Sequence, residues 1–163
     1  MKALILGISG QDGSYLAEYL IGSGYDVFGI VRRHSVAENQ QYRLDNIRND
    51  IQVFYGDMND QSSLYKALLK VKPDEIYNLA SQSHVRISFD IPQYTVQTNA
   101  VGVINLIDAY RVVCPEAKFY QASSSEMFGL SYDKDKFQRE STPMNPVSPY
   151  GCFPKDVKIL CRK

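Results

Sequence analysis

At 163 residues the chain has the length of one ordinary domain, and 44% hydrophobic with 22% charged residues is globular composition, which excludes a disordered chain. Eighteen basic residues offset eighteen acidic ones, so no overall field draws the protein to nucleic acid or to an anionic membrane, and any anionic ligand has to be held locally. No apolar run is long enough to span a bilayer, and the first residues lack a cationic segment, an apolar signal core and a small-residue cleavage site, so a cytoplasmic protein is expected. Cys114, Cys152 and Cys161 are odd in number and lack paired metal-ligand spacing. They read as reduced packing thiols, with neither a disulfide framework nor a metal site.

Short apolar runs rich in Val, Ile and aromatics alternate with helical patterns, which predicts an α/β fold with a doubly wound parallel sheet of the Rossmann type. The run from Lys2 to Gly13 reads as a buried strand turning through Gly7, Gly10 and Gly13 into a helix over Ser14–Ile21. A second strand, Asp26–Val31, follows after one helix length and ends in Arg32-Arg33. Ile51–Tyr55 is the third strand, and Gln61–Lys70 a short helix with Leu64, Leu68 and Leu69 on one face. Glu75–Ala80 is the fourth strand, Val96–Val113 a long helix closed by Pro115, and Lys118–Ala122 the fifth strand. There is no internal repeat. The one extended irregular segment, Leu130–Pro149, is rich in proline, and a loop of that length in a compact domain is often functional.

In such a sheet the helix amino termini and loops converge at the carboxyl ends of the strands. Gly7 lets the chain reverse, Gly10 lets backbone reach a diphosphate, and Gly13 lets the helix lie close, with its positive end facing the anion. Three glycines alone also suit a merely structural turn; the second strand and its arginines are what favour a dinucleotide. A carboxylate after the second strand would bind ribose hydroxyls, whereas arginine forks a ribose phosphate. No acid stands from Val31 to His34, so NADP is favoured over NAD, against the bland reading of a solvated rim. Asp57, after Gly56, reads as an acceptor for the adenine amino group, or as a turn or cap residue. His34 and His84 have no evident orienting partner and read as surface or supporting residues.

The segments 7–18 (GISGQDGSYLAE), 30–33 (IVRR), 56–58 (GDM), 78–85 (NLASQSHV), 98–102 (TNAVG), 119–126 (FYQASSSE) and 148–150 (SPY) together resemble the GDP-mannose 4,6-dehydratases, extended short-chain dehydrogenases that modify nucleotide sugars. The likeness runs from residue 1 to about 151. It implies an NADP-dependent lyase of deoxysugar biosynthesis that converts GDP-mannose to GDP-4-keto-6-deoxymannose, by oxidation at carbon 4, loss of the carbon-5 proton and the carbon-6 hydroxyl, and return of the hydride to carbon 6. It implies Gly7, Ser9, Gly10, Gln11, Asp12, Gly13, Arg32, Arg33, Asp57, Met58, Leu79 and Ala80 at the cofactor. It implies Tyr150 as base for the 4-hydroxyl, Ser124 as donor to its oxygen, and Glu126 as the base facing carbon 5. Ser124 and Glu126, two apart on an extended segment, would share a face. The bland alternative makes the serines a cap for the next turn, Glu126 a solvated acid and Tyr150 a packing aromatic.

A tyrosine acts as a base near neutral pH only when something lowers its pKa from about 10, and in the family that is a lysine four residues on. Here Pro154 takes that position and Lys155 stands one residue late, about 100° around the helix and out of register. A proline there would also cost roughly 3 kcal/mol in a helix interior. The expectation is that residues 1–163 form an NADP-binding Rossmann domain truncated near the start of the helix that carries Tyr150, with the nucleotide-sugar domain absent and the chain alone inactive. A fragment, a coding irregularity near residue 153 and a degenerate paralogue all fit. Full-length relatives imply a homo-oligomer, dimer or tetramer. Two other functions stand beside this one: another nucleotide-sugar dehydratase or an epimerase, and a truncated NADP-binding module without catalysis.

Overall fold

The five runs of strand composition pair side by side, all parallel. The computed structural model describes residues 1–33 and 42–152, so His34, Pro154, Lys155 and Cys161 lie outside the described residues. β1 (Lys2–Leu6), β2 (Asp26–Val31), β3 (Ile51–Tyr55), β4 (Glu75–Asn78) and β5 (Lys118–Gln121) lie in the order β3-β2-β1-β4-β5. The chain winds outward from β1 through β2 to β3, then passes β1 to reach β4 and β5, so the winding reverses at β1. Loops leaving the carboxyl ends on either side of such a reversal diverge, and that is where α/β sheets bind ligands.

The described residues form two compact units, 1–33 and 42–80 with 105–122, and 81–104 with 123–152. The first holds the sheet. Ala3 and Ile5 of β1 and Val27 and Val31 of β2 point to one face, where Ala17 and Leu20 of α1 (Gln11–Gly22) and Leu44 and Ile47 of a 3₁₀ helix (Tyr42–Ile47) complete a cluster. The alternate residues face the other way. There Phe28 stacks on Phe54 at 6.3 Å, and Lys70 of α2 (Gln61–Val71) rests 4.5 Å above Phe54. Phe119 of β5 packs 5.2 Å from Tyr110, which stands on α5 (Gly102–Val113). Both faces are therefore covered by helices, which is why the strands read as near-continuous apolar runs.

Several expectations shift. α1 starts at Gln11, three residues ahead of Ser14, because Gly10 already serves as its N-cap. On α2 the buried residues are Leu64, Ala67, Leu68 and Val71, while Leu69 is 56% exposed. At about 100° per residue Leu69 falls well away from the Leu64–Leu68 stripe. Helical structure also begins before Val96: α3 (Val85–Asp90) was not foreseen, and α4 (Pro92–Val96) starts on a proline in its first turn. A π segment, Gln97–Val101, then leads into α5. β4 stops at Asn78 rather than Ala80, because the Asn78 side chain takes over the hydrogen bonding. Its Oδ1 accepts the Ala80 N–H at 3.2 Å, and its Nδ2 donates to Gln121 Oε1 at 2.8 Å.

Candidate functional site

The turn after β1 is built for close approach of backbone. Gly7 has φ +79°, a conformation natural to glycine, and a Cβ there would meet Leu79 and Ala80 backbone atoms at 3.0 Å. Gly7, Leu79 and Ala80 therefore stand against one another. A Cβ on Gly13 would fall on the Gly7 carbonyl oxygen and within 2.8 Å of Ile8 Cα, so α1 lies directly on the turn. Gly10 is the N-cap and has no side chain to cap with. The Ser14 N–H is the first to reach back a full turn, to Gly10 O at 3.0 Å, so the amides of Gln11, Asp12 and Gly13 lack a helical acceptor. Those donors, at the positive end of a 12-residue helix, suit a diphosphate. Ser9 is half-buried beside them, and Gln11 and Asp12 are exposed.

The neighbouring strand ends supply the rest of this surface. Arg32 and Arg33 are exposed directly after β2, with no acid following within the described stretch. Asp57, after β3, is half-buried, and its Oδ1 accepts the Asn59 N–H at 2.9 Å, the turn role the sequence allowed. Its own N–H donates to Ser63 Oγ at 3.1 Å, which fixes the carboxylate's stem. Met58 is 5% exposed, and its carbonyl accepts from Asn105 Nδ2 at 3.3 Å, so it packs inside the fold. Gly7, the arginines, Asp57 and Ala80 all follow carboxyl ends of parallel strands and so share one sheet edge.

The second unit holds the proposed acid–base groups. Ser124 is extended, with φ −146° and ψ 146°, but a 3₁₀ turn begins at once over Ser125–Phe128. The expected extended segment through Glu126 is therefore a correction: Glu126 sits inside the turn, and Ser124 caps it by accepting the Glu126 N–H on Oγ at 3.2 Å. That cap uses an oxygen lone pair and leaves the hydroxyl proton available to donate. Met127, 7% exposed, anchors the turn. Tyr150 is the second residue of a helix that opens at Pro149 and whose N-cap is Ser148: Ser148 Oγ accepts the Gly151 N–H at 3.0 Å, and its carbonyl accepts the Cys152 N–H at 3.2 Å. A Cβ on Gly151 would lie 2.6 Å from the Glu126 carbonyl oxygen. The start of the helix that carries Tyr150 is thus laid, at Gly151, against the backbone of the Glu126 turn.

Sequence reasoning missed the residues that brace this unit. Gln82 N–H donates to Asn99 Oδ1 at 2.8 Å while Asn99 Nδ2 donates to Gln82 O at 3.0 Å, so a buried Asn on the π segment pins the loop after β4. A π segment of this kind often marks a functional position. The signal available in sequence was a polar Thr98-Asn99 pair inside an apolar helical pattern. His84 is an exposed N-cap of α3, its Nδ1 accepting the Ile87 N–H at 3.4 Å, in keeping with a supporting role. Cys114 and Cys152 are free thiols. Among the described residues no helix is long and apolar enough to cross a membrane.

Comparison with known proteins fits these features. A GDP-mannose 4,6-dehydratase of Vibrio cholerae is 49% identical over 159 residues, covering 92% of this chain and 42% of that protein. The GDP-mannose 4,6 dehydratases of Drosophila melanogaster and Homo sapiens are 47% and 46% identical over 160 residues, covering 92% and 91% of this chain. The chain spans about two fifths of the length of these relatives. In fold it resembles the UDP-glucose 4-epimerase of Brucella ovis in complex with NAD, with a TM-score of 0.83 at 23% identity over 98% of this chain and 46% of that one. The Thermus thermophilus UDP-glucose 4-epimerase complex with NAD gives 0.81 at 23% identity, covering 98% and 50%. Residues 4–153 match the family described as GDP-mannose 4,6 dehydratase, and the chain belongs to that family.

Proposed function

We propose that this chain supplies the NADP-binding surface and part of the acid–base centre of a GDP-mannose 4,6-dehydratase, a lyase acting on a nucleotide sugar. The observation that carries the reading is the side-chain-free turn of Gly7, Gly10 and Gly13 under the amino end of α1, next to Leu79 and Ala80. The residues present fit a diphosphate there: the amides of Gln11, Asp12 and Gly13 have no helical acceptor, and Gly10, the N-cap, puts no side chain beside them. Bound there, the cofactor would accept a hydride from the sugar and later return it. Ser9, Gln11 and Asp12 border the diphosphate, Arg32 and Arg33 pair with the ribose phosphate, and Asp57 flanks the adenine while the Met58 side chain stays packed inside the fold. Tyr150 takes the proton of the sugar 4-hydroxyl, Ser124 donates to that oxygen, and Glu126 removes the carbon-5 proton. A carboxylate beside the serine favours a dehydratase over an epimerase, since inversion at carbon 4 needs no base at carbon 5.

The 163 residues cover about two fifths of the relatives' length, so binding and turnover are separable. The polypeptide is expected to bind NADP and, by itself, to release no GDP-4-keto-6-deoxymannose. Isothermal calorimetry with NADP and NAD checks the first clause, and product analysis by mass spectrometry the second. Indifference to both dinucleotides would overturn the cofactor reading, and turnover at rates ordinary for enzymes would overturn the second clause.

A further inference from the structure

We infer that Ser88 is a positioning residue for Tyr150, holding the start of its helix in one register against the Glu126 turn. The first turn of any helix leaves donors without helical acceptors. Here Pro149 has no N–H, Gly151 is taken by Ser148 Oγ at 3.0 Å, and Cys152 by Ser148 O at 3.2 Å. That leaves the Tyr150 N–H, and it donates to Ser88 Oγ at 3.2 Å, across 62 residues of sequence. Ser88 is 0% exposed, and its hydroxyl proton is already directed to Val85 O at 2.6 Å inside α3. The hydroxyl is thus oriented with its lone pair toward Tyr150, so the backbone of the proposed base is tied to α3 as well as to its own cap. Gly151 lies against the Glu126 carbonyl, and a Cβ on Gly129 would fall on the Asn145 carbonyl oxygen, so two glycines allow these segments to pack closely. A buried serine in a short helix ordinarily bonds only its own turn. Here it also fixes which way the next functional residue leaves the backbone.

The inference rests on the proposed role of Tyr150 for its meaning in catalysis, but its geometry is tested independently. Amide hydrogen exchange read by NMR on the 163-residue chain is expected to show the Tyr150 N–H at least 30-fold slower than in an unstructured peptide. In Ser88→Ala it should speed up at least tenfold relative to Gly151 and to the β1 amides, and Ser88→Thr should restore it. In a chain labelled with 3-fluorotyrosine, the ¹⁹F signal assigned by its loss in Tyr150→Phe should broaden or split in Ser88→Ala and recover in Ser88→Thr. NADP affinity should stay within twofold in both variants. A Tyr150 amide in the wild-type chain that exchanges as an exposed group overturns the inference even if Ser88→Ala does not fold, as does a loss of protection spread evenly over the whole chain. If neither dinucleotide binds while the Tyr150 amide behaves as stated, the cofactor reading fails and the positioning geometry stands.

Discussion

A methyl group on Gly13 would meet the Gly7 carbonyl oxygen and Ile8 Cα, and both belong to backbone that cannot swing aside as a long side chain would. Gly13→Ala is therefore expected to destabilise the fold by about 1–3 kcal/mol, the range for overpacking a filled site, and to weaken NADP binding with it. Gly22, at the far end of the same helix, has nothing within 4 Å of a Cβ, so Gly22→Ala is the control and should be neutral or slightly stabilising. Urea unfolding of the two variants checks this, and equal midpoints would mean that close packing is not what requires glycine at residue 13. The need for these glycines was legible in the sequence because their spacing along one turn is local information. The buried Asn78 was not legible as a strand terminator. Its partner is Gln121, 43 residues away, and no local pattern marks an asparagine whose hydrogen bonds are that distant. Ser88 was missed for the same reason.

At the scale of the element, β4 and β5 show how register creates a titrating pair. Parallel pairing sets Glu75 opposite Lys118, and alternation puts Tyr77 on the same face as Glu75. The Tyr77 hydroxyl donates to Glu75 Oε2 at 2.6 Å, and Lys118 Nζ donates to Oε1 at 3.1 Å. Burial first, and then this bond to a carboxylate, push the Tyr77 phenol from its ordinary 10.0 up to about 12. The same bond, with help from Lys118, holds the Glu75 carboxyl below its ordinary 4.5. The folded state thus prefers the neutral phenol, so this contribution to stability is complete below pH 10 and is lost as pH rises from 10 to about 12. The carboxylate's contribution is complete above pH 4.5 and is lost as pH falls below it. In urea titrations the difference in unfolding free energy between the wild-type chain and Tyr77→Phe is expected to stay level at neutral pH and to shrink on both limbs. A difference that stays level as pH falls through 4.5 would uncouple Tyr77 from Glu75. Such a pair is invisible in sequence until the register is known, whereas β3 and β2 were legible to the residue because apolar runs bounded by polar turns define their own ends.

At the scale of the whole molecule, alternating strand and helix patterns imply a doubly wound parallel sheet, and so the carboxyl ends that carry Gly7, Arg32, Arg33, Asp57 and Ala80 could be read before any coordinates, whereas the strand order β3-β2-β1-β4-β5 could not. The bracing of the second unit could not, because it depends on a π segment, a 3₁₀ turn and side chains far apart in sequence. Formal net charge is zero, so no long-range field selects between two dinucleotides that differ by one phosphate. Discrimination then has to be local, and in the proposed reading it falls to the exposed guanidinium groups after β2. Replacing both, Arg32→Glu with Arg33→Glu, is expected to move the preference from NADP toward NAD by about 1–3 kcal/mol, the scale of hydrogen bonds to charged groups. Because both arginines are exposed, the wild-type preference should also narrow as salt is raised, screening the contact with the 2′-phosphate while leaving the backbone cradle at Gly10 and Gly13 largely untouched. Calorimetric titration of both dinucleotides at low and high salt reads the two effects separately. Relative affinities that do not move in the double variant would remove the arginines from the discrimination between NADP and NAD.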